Sequence, residues 1–355
     1  MTDNPLSGAL RIQAGACENF GSPFYGALLT LMAEDLDAGG PVKALLAPWA
    51  DATLRRLFDE AVALRLPNAF NHLAQGGEDP ALSAVWPREG VPLDVEAAWR
   101  AAKAAIPAHR AQLEAFMTHE PQTNEVRRTA GLLGGFLTVA TETGLPLRSF
   151  EIGASAGLNQ FWDRFRYEMG PVAWGDPASP VLIDAAWEGG PPPLGPVEVA
   201  ERGACDRRPT DLNDPAQRRR LLACIWPDMF DRLVRSRRAI DLVLDAGVQV
   251  DAADALAWTT AGVAPKPGFA TVLYHSVFWQ YLPAKTQAGL AAAIEDIGAR
   301  ATAEGPFAWL SFEPAPDNMA VMEVRLTQWP GGAARTLAEA HPHGAWIRWL
   351  GEGAA

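Results

Sequence analysis

One stretch of the sequence, residues 147–165 (LRSFEIGASAGLNQFWDRF), constrains the fold most strongly. Its first residues, through Ile152, are typical of an apolar strand, Gly153 and Gly157 mark a turn of small residues, and apolar residues then recur at helical spacing. We therefore predict a strand, a turn and a helix in immediate succession. Such a turn exposes backbone N–H groups at a helix N-terminus, where they can hold a carboxylate or a phosphate. The stretch thus predicts a ligand site.

Composition and charge exclude several classes of protein. A chain of 355 residues with 48% hydrophobic and 20% charged residues fits one large or two modest globular domains. The formal net charge of -12 opposes general attraction to nucleic acid or anionic membranes. The N-terminus lacks the regions of a signal peptide and no stretch approaches a transmembrane run, so we expect a cytoplasmic protein. Cys17, Cys205 and Cys224 are widely spaced, which predicts buried thiols.

The first 144 residues are predicted to be helical, because apolar residues recur there at helical spacing and no convincing strand precedes residue 145. Ser22 and Pro23 suit the N-cap and first turn of a helix, and Gly144 ends the last one. The predicted helices cover residues 24–36, 51–64, 93–116 with an interruption at Pro107, and 123–144. We therefore predict an α-helical lid or substrate domain over residues 1–144.

Residues 145–355 are predicted to form an α/β domain, because strands and helices alternate along them. After the first strand, a Pro-, Gly- and Trp-rich excursion covers residues 169–195. The predicted elements that follow are strands at 197–206, 248–251, 269–274 and 307–312, helices at 215–233 and 283–303, and a terminal hairpin at 323–328 and 335–340, with 345–350 adding to that edge. This order predicts a mostly parallel, doubly wound sheet with a terminal antiparallel hairpin.

Ionisable side chains recur where the predicted strands end. In open α/β sheets, ligands bind beyond the carboxyl ends of the strands, near the point where strand order reverses. Glu151, Asp206, Asp251, His275 and Glu313 are therefore expected to face one crevice. His275, beside Tyr274, suits a general base or a histidine bonded within a polar network, and Glu313 suits either positioning of a substrate amine or hydroxyl or capping of a loop.

This order of features resembles a class I S-adenosylmethionine-dependent methyltransferase, which carries an acid and a small-residue loop after strand one and acids after strands two and three. The resemblance implies a Rossmann sheet, S-adenosylmethionine as cofactor and a small-molecule methyl acceptor. It places the cofactor on Glu151, Gly153, Ala154, Ser155, Gly157 and Asn159, with Asp206 on the ribose hydroxyls and Asp251 near the adenine amino group. Ser155 departs from the three alternate glycines of that family; its side chain either crowds the cofactor or bonds to its carboxylate.

Three further residues are candidates for the substrate side of the site. Asn124 and Glu125 face the ligand if the helical region closes over the crevice, or they cap a helix. Trp279 lines an aromatic substrate pocket or belongs to the core. The predicted reaction is methyl transfer to a nitrogen, oxygen or carbon nucleophile, driven mainly by proximity and in-line alignment.

The same loop also satisfies G-x-S-x-G, the nucleophile elbow of α/β-hydrolases. Ser155 would then attack, Glu313 or Asp317 would orient, and His341 or His343 would act as base. Three features oppose this alternative: the preceding region is helical, no HGGG-type segment appears, and Glu151 has no role. A non-catalytic nucleoside-binding protein is the other alternative. His341 and His343 have no third ligand at a matching spacing, so we predict a turn there and no metal.

At a closer level, nearly the whole chain resembles an uncharacterised bacterial family, domain of unknown function 2332. The matching stretches are 21–23 (GSP), 122–126 (QTNEV), 151–159 (EIGASAGLN), 174–177 (WGDP), 275–283 (HSVFWQYLP) and 341–346 (HPHGAW).

Overall fold

The computed structural model describes residues 4–351 and divides into two compact units. The first unit comprises the chain up to Thr123 together with Asn213–Val234, and the second comprises Asn124–Leu212 and the chain from Arg235 onward. This division differs from a boundary at residue 144 in two places. Residues 124–144 join the sheet, and residues 213–234 join the N-terminal helices.

The helices follow the chain in this order: α1 (Pro5–Asn19), α2 (Pro23–Asp37), α3 (Pro41–Leu45), α4 (Leu54–Asp59), α5 (Val62–Gly76), α6 (Pro80–Val85), α7 (Val95–Met117), α8 (Thr129–Thr143), α9 (Pro215–Ala223), α10 (Phe230–Asp245), α11 (Ala255–Gly262) and α12 (Ala284–Gly298). Short 3₁₀ helices lie at Ala47–Trp49, Val126–Arg128, Leu158–Arg164 and Trp279–Tyr281. No helix in the described part of the chain has the length and apolarity needed to cross a membrane.

The strands are β1 (Leu147–Ile152), β2 (Arg166–Met169), β3 (Val172–Trp174), β4 (Leu182–Asp184), β5 (Ala186–Glu188), β6 (Val199–Asp206), β7 (Asp251–Ala252), β8 (Ala270–Ser276), β9 (Phe307–Ala315), β10 (Asn318–Trp329), β11 (Ala334–Ala340) and β12 (Trp346–Trp349). All of them lie after residue 145, so the described residues 4–144 contain helices but no strand, as predicted.

The N-terminal unit is a helical cluster with its own apolar core. Helix α2 begins as predicted, because the Ser22 side chain accepts a hydrogen bond from Tyr25 N. The single helix predicted over residues 51–64 is wrong: Ala61 adopts a left-handed conformation (φ +47°), which separates α4 from α5. Segment 213–234 is tied to this unit because Asn71 Nδ2 donates to the backbone oxygens of Ala223 and Ile225, each at 2.9 Å.

In the second unit, and within residues 4–351, the main sheet has nine strands in the order β5-β12-β11-β10-β9-β8-β1-β6-β7. Strands β7, β6, β1, β8 and β9 are parallel, whereas β10, β11 and β12 form an antiparallel meander. The chain proceeds from β1 outward to β6 and β7, and then returns to β8 on the other side. Strand order therefore reverses between β1 and β8. The predicted mixed α/β fold with a mostly parallel sheet and N-terminal helices is confirmed.

Helix α8 packs on the sheet, which is why it belongs to the second unit. Its residues from Thr129 to Val139 are buried. Side chains of the sheet approach its glycines so closely that a Cβ would overlap Phe312 at Gly131 and Leu310 at Gly135. A larger residue at either glycine would push the helix away from β9.

The segment after β1 has the predicted turn followed by a helix, but the helix is of the 3₁₀ type. It forms a 3₁₀ helix, Leu158–Arg164, and then enters a small sheet of order β3-β2-β4. Arg202 Nη1 donates to the backbone oxygen of Gln160 at 2.6 Å, and Trp162 stacks on Phe136 with ring centroids 4.0 Å apart. These contacts hold the Gln160 carbonyl and the Trp162 ring in place, and the 3₁₀ helix ends at Arg164.

Candidate functional site

The turn after β1 lies at the reversal of strand order, where ligands bind in open α/β sheets. Two of its backbone N–H groups are already hydrogen-bonded to side chains: Ser155 N donates to Asp206 Oδ2 and Leu158 N donates to Asn124 Oδ1, both at 2.9 Å. An anion at this turn would therefore compete with Asp206 and Asn124 for these donors. The turn is an internally braced loop rather than an open cradle.

Asp206 lies at the end of β6, as predicted, and accepts hydrogen bonds from the backbone of the two neighbouring loops. Its Oδ1 accepts from Arg208 N at 2.8 Å, while its Oδ2 accepts from Ser155 N. Each carboxylate oxygen thus receives one backbone N–H and keeps a second lone pair. The side chain is half-buried, so those lone pairs are available to a ligand.

Ser155 combines two unusual features. Its backbone is left-handed (φ +55°), a conformation that side chains other than glycine rarely adopt. Its Oγ is buried and has no hydrogen-bond partner among residues 4–351. A strained residue with an orphaned buried hydroxyl is typical of a functional loop.

Glu151, the penultimate residue of β1, is 2% exposed and lies next to Tyr274 across the β1–β8 pair. The Tyr274 hydroxyl lies 3.3 Å from Glu151 Oε2 and 3.2 Å from the backbone oxygen of Asn159. The pKa of Glu151 is raised to about 8, chiefly by burial and to a smaller extent by the Asp206 charge, while hydrogen bonds with Tyr274 and Asn159 oppose the rise. The three residues form one buried polar cluster.

Asn159 has the same orphaned character as Ser155. It is 1% exposed, and its Oδ1 is buried without a hydrogen-bond partner in the part of the chain that the structure describes. Leaving a buried polar atom unpaired costs about 1–3 kcal/mol. The loop therefore carries two acceptors, Ser155 Oγ and Asn159 Oδ1, that the described protein does not satisfy.

Phe278 covers the first glycine of the loop. Gly153 has φ +69°, and a Cβ at this position would overlap the Phe278 ring. At Gly157, a Cβ would overlap Gln160 and Val250. The backbone at both positions is therefore in direct contact with neighbouring side chains.

His275 is 1% exposed and both of its ring nitrogens are engaged. Trp309 Nε1 donates to His275 Nε2 at 3.1 Å, and His275 Nδ1 lies 2.7 Å from Glu313 Oε1. Because an indole N–H can only donate, Nε2 must accept, which assigns the proton to Nδ1 and makes the imidazole neutral. This arrangement matches the polar-network interpretation of His275 and leaves neither nitrogen open to a substrate.

Glu313 organises the turn that follows β8. Its Oε1 also accepts from Phe278 N at 2.8 Å and Trp279 N at 3.1 Å. The turn is strained, because Val277 has φ +50°, and Trp279 stacks on His275 with ring centroids 5.4 Å apart. Glu313 therefore caps the turn that places Phe278 over the loop.

Other predicted residues lie apart from this cluster or have local partners. Asp251, on the two-residue strand β7, is exposed and accepts from Trp258 Nε1 at 2.7 Å. Glu125 caps a 3₁₀ helix by accepting from Arg127 N at 3.1 Å. Asp317 is exposed on the turn between β9 and β10. The ligand and substrate roles given to these residues stay predictions.

The histidine pair near the C-terminus forms a turn. His343 N donates to His341 Nδ1 at 3.0 Å. Over residues 4–351, no group of three or more His, Cys, Asp or Glu side chains could hold a metal ion.

Two contacts near the loop were not predicted, namely the hydrogen bond from Trp309 to His275 and the cover that Phe278 provides over Gly153. Trp309 and Glu313 lie on the same face of β9, because side chains two and four residues apart share a face of a strand. In the β8–β9 pair, His275 lies opposite Ser311, so Trp309 and Glu313 flank it on either side. The alternation of side chains along β9 is therefore the sequence signal for the hydrogen bonds of His275. The cover that Phe278 provides has no comparable signal, since it depends on the path of a strained turn.

Comparison with known proteins identifies a family but no characterised relative. No curated protein and no solved structure matches the chain. A family model described as "Uncharacterized protein conserved in bacteria (DUF2332)" matches residues 7–349, nearly the full length. The chain therefore belongs to the DUF2332 family of bacterial proteins.

Proposed function

We propose that this chain is an S-adenosylmethionine-dependent methyltransferase-like protein that acts on a small molecule. The observation that supports this proposal is the coincidence of three features at one place. The strand order reverses between β1 and β8, a loop of small residues follows β1, and carboxylates lie near the ends of β1 and β6 and on the short strand β7. In open α/β sheets this is where nucleotide-type ligands bind.

The residues of the loop are compatible with such a ligand. Ser155 Oγ can donate to the carboxylate of the methionine part, since it has no partner among the described residues. The second lone pairs of Asp206 can accept from ribose hydroxyls without loss of its bonds to the loop. Asp251 is exposed and retains Oδ1 for an exocyclic amine.

The proposed chemistry requires little of the protein beyond binding and alignment. When bound, the cofactor supplies an electrophilic methyl group. The chain would hold the acceptor in line with that group, which is worth several kcal/mol of the barrier. His275 would act as a positioning residue through Glu313 and Trp279, because both of its nitrogens are occupied. Phe278 would exclude water from the loop side of the site.

Isothermal titration with S-adenosylmethionine and S-adenosylhomocysteine tests the proposal. Ser155→Ala removes the hydroxyl and keeps the backbone N–H that Asp206 binds. Asp206→Asn keeps the side chain's shape and removes its charge. We expect the wild type to bind both ligands and each variant to bind about 5- to 150-fold more weakly, which corresponds to a loss of about 1–3 kcal/mol.

Asp317→Asn, an exposed acid on the turn after β9, is the matched control and should bind like the wild type. Thermal melts by circular dichroism establish that each variant is folded. A folded wild type that binds neither ligand at millimolar concentration contradicts the proposal. Binding without methyl transfer to any acceptor in a metabolite extract would favour a non-catalytic nucleoside-binding protein.

A serine hydrolase is the second candidate, and one observation favours it. The left-handed backbone of Ser155 (φ +55°) between a strand and a helix is the conformation of a nucleophile elbow. However, a nucleophilic serine needs a base within hydrogen-bond reach, and Ser155 Oγ has none among residues 4–351. Labelling of the wild type, but not of Ser155→Ala, by a fluorophosphonate would support the hydrolase.

A further inference from the structure

The cluster of Glu151, Asn159 and Tyr274 contains a buried acidic group but no basic group. Glu151 is a buried carboxyl, and no cationic side chain of the described chain forms an ion pair with it. The nearby charge that affects it is another acid, Asp206. Burying an isolated carboxylate is costly, so the side chain keeps its proton instead.

The charged and polar groups that act on Glu151 come from three neighbouring elements. Strand β8 contributes the Tyr274 hydroxyl, and the 3₁₀ helix after the loop contributes the Asn159 amide. From β6 come the Asp206 carboxylate and, acting on Tyr274, the positive charge of Arg202. Arg202 itself is bound to Asp163 Oδ2 at 2.6 Å. The site is therefore rich in acceptors and short of a cation.

One unsatisfied acceptor belongs to a residue that is hydrogen-bonded to the carboxyl: Asn159 Oδ1 is buried without a partner within residues 4–351. Ser155 Oγ, on the loop that precedes Asn159, is likewise buried without a partner there. A group that donates several hydrogen bonds and carries positive charge would satisfy these acceptors and compensate the ionised carboxylate. A neutral or anionic group would leave the carboxyl protonated.

We propose that Glu151, Asn159 and Tyr274 bind a cationic group of the ligand, an ammonium or a sulfonium, and that this binding displaces the proton of Glu151 into solvent. The inference rests on the proposed function for the identity of the whole ligand, but not for the chemistry of the cation. Only the O–H bond of the Glu151 carboxyl breaks: its electron pair stays on the carboxylate, the proton passes to the buffer, and the carboxylate pairs with the cation.

Proton release is measurable by titration calorimetry in two buffers of different ionisation enthalpy. With the pKa of Glu151 at about 8, the free protein is about nine-tenths protonated there at pH 7. We expect S-adenosylmethionine to release about 0.9 proton from the wild type at pH 7 and almost none from Glu151→Gln. Its affinity for the wild type should rise by about 20-fold from pH 6.0 to 7.5. The exposed-site control Glu168→Gln should behave like the wild type.

Neutral 5′-methylthioadenosine should bind with no release of a proton and with no dependence on pH over this range. Binding of S-adenosylmethionine without proton release, or equal release from Glu151→Gln, overturns the inference and leaves the proposed function intact. If no nucleoside binds, the proposed function fails. The inference is then tested by thermal melts in methylammonium chloride, compared with melts in sodium chloride at the same concentration. Stabilisation of the wild type at pH 7.5 that is absent in folded Glu151→Gln supports the inference, and equal melting temperatures overturn it.

Discussion

Replacement of Glu151 by glutamine should change how the stability of the protein depends on pH. Burial raises the pKa of this carboxyl from an ordinary 4.5 to about 8, because the charged form is disfavoured inside the sheet. A folded-state pKa above the unfolded value contributes stability that is complete below the unfolded pKa and is lost as pH rises through the folded pKa. The wild type should therefore lose stability between about pH 4.5 and 8 relative to the glutamine variant.

The size of the loss follows from the shift. One pKa unit corresponds to about 1.4 kcal/mol. Because the carboxyl stays protonated in the fold up to about pH 8 and ionises in the unfolded chain above about pH 4.5, moving to pH 7 spans 2.5 units. The wild type should lose about 3 kcal/mol relative to Glu151→Gln over that interval.

Urea unfolding followed by circular dichroism at several pH values measures this difference. The difference between the wild type and Glu151→Gln cancels the contributions of all other titrating groups. Glu168→Gln is the matched control, since Glu168 is exposed on β2 and forms a surface pair with Arg166. Parallel pH profiles for the wild type and Glu151→Gln from pH 5 to 8 would show that the Glu151 carboxyl has no raised pKa in the folded protein.

Three further substitutions test the geometry of the loop, each by urea unfolding. Asp206→Ala should destabilise the protein by about 2 kcal/mol, because it leaves two backbone N–H groups without their acceptor; an unchanged midpoint would contradict the brace. Gly153→Ala should cost at least about 1 kcal/mol more than Gly144→Ala, since both glycines have positive φ but only Gly153 is covered by Phe278; equal costs would contradict that cover. Ser155→Gly should stabilise by about 1 kcal/mol through relief of the left-handed backbone, and a loss of stability would show that the serine is not strained.

The parallel part of the sheet was predictable because most of its strands are continuous apolar segments, each with an ionisable residue near its end. Strand β8, for example, is buried from Ala270 to His275, and β9 begins at Phe307 as predicted. Buried parallel strands have such continuous apolar runs. The placement of Glu151 and Asp206 at strand ends followed from the same pattern.

A helix after the loop was predicted, but its 3₁₀ form and its end at Arg164 were not predictable, since they depend on tertiary contacts. Leu158, Phe161, Trp162 and Phe165 have helical spacing, but stacking of Trp162 on Phe136 and capture of a carbonyl by Arg202 stop the 3₁₀ helix at Arg164. Propensity and spacing are weak against such contacts. The assignment of residues 124–144 to the second unit and of residues 213–234 to the first was not predictable for the same reason. It depends on which surfaces α8 and α9 bury.

The details of the site depended on hydrogen-bond geometry that a sequence does not encode locally. Asp206 turns its carboxylate toward Ser155 N, and Trp309 occupies the nitrogen of His275 that a base would use. Both contacts join residues more than 30 positions apart. Glu151 and Asp206 therefore lie near the ends of their strands, as expected, whereas Asp251 begins β7 instead of ending the strand predicted over residues 248–251. Their hydrogen-bonding partners emerged only from the fold.

The central claim is that a nucleoside cofactor binds over the loop at the end of β1. A crystal structure of the protein soaked with S-adenosylhomocysteine tests this claim most directly. We expect density for the ligand along residues 153–157, with its ribose on Asp206 and its ammonium beside Glu151 and Asn159. Density for the ligand elsewhere, or an unoccupied loop at a saturating concentration of ligand, would contradict it.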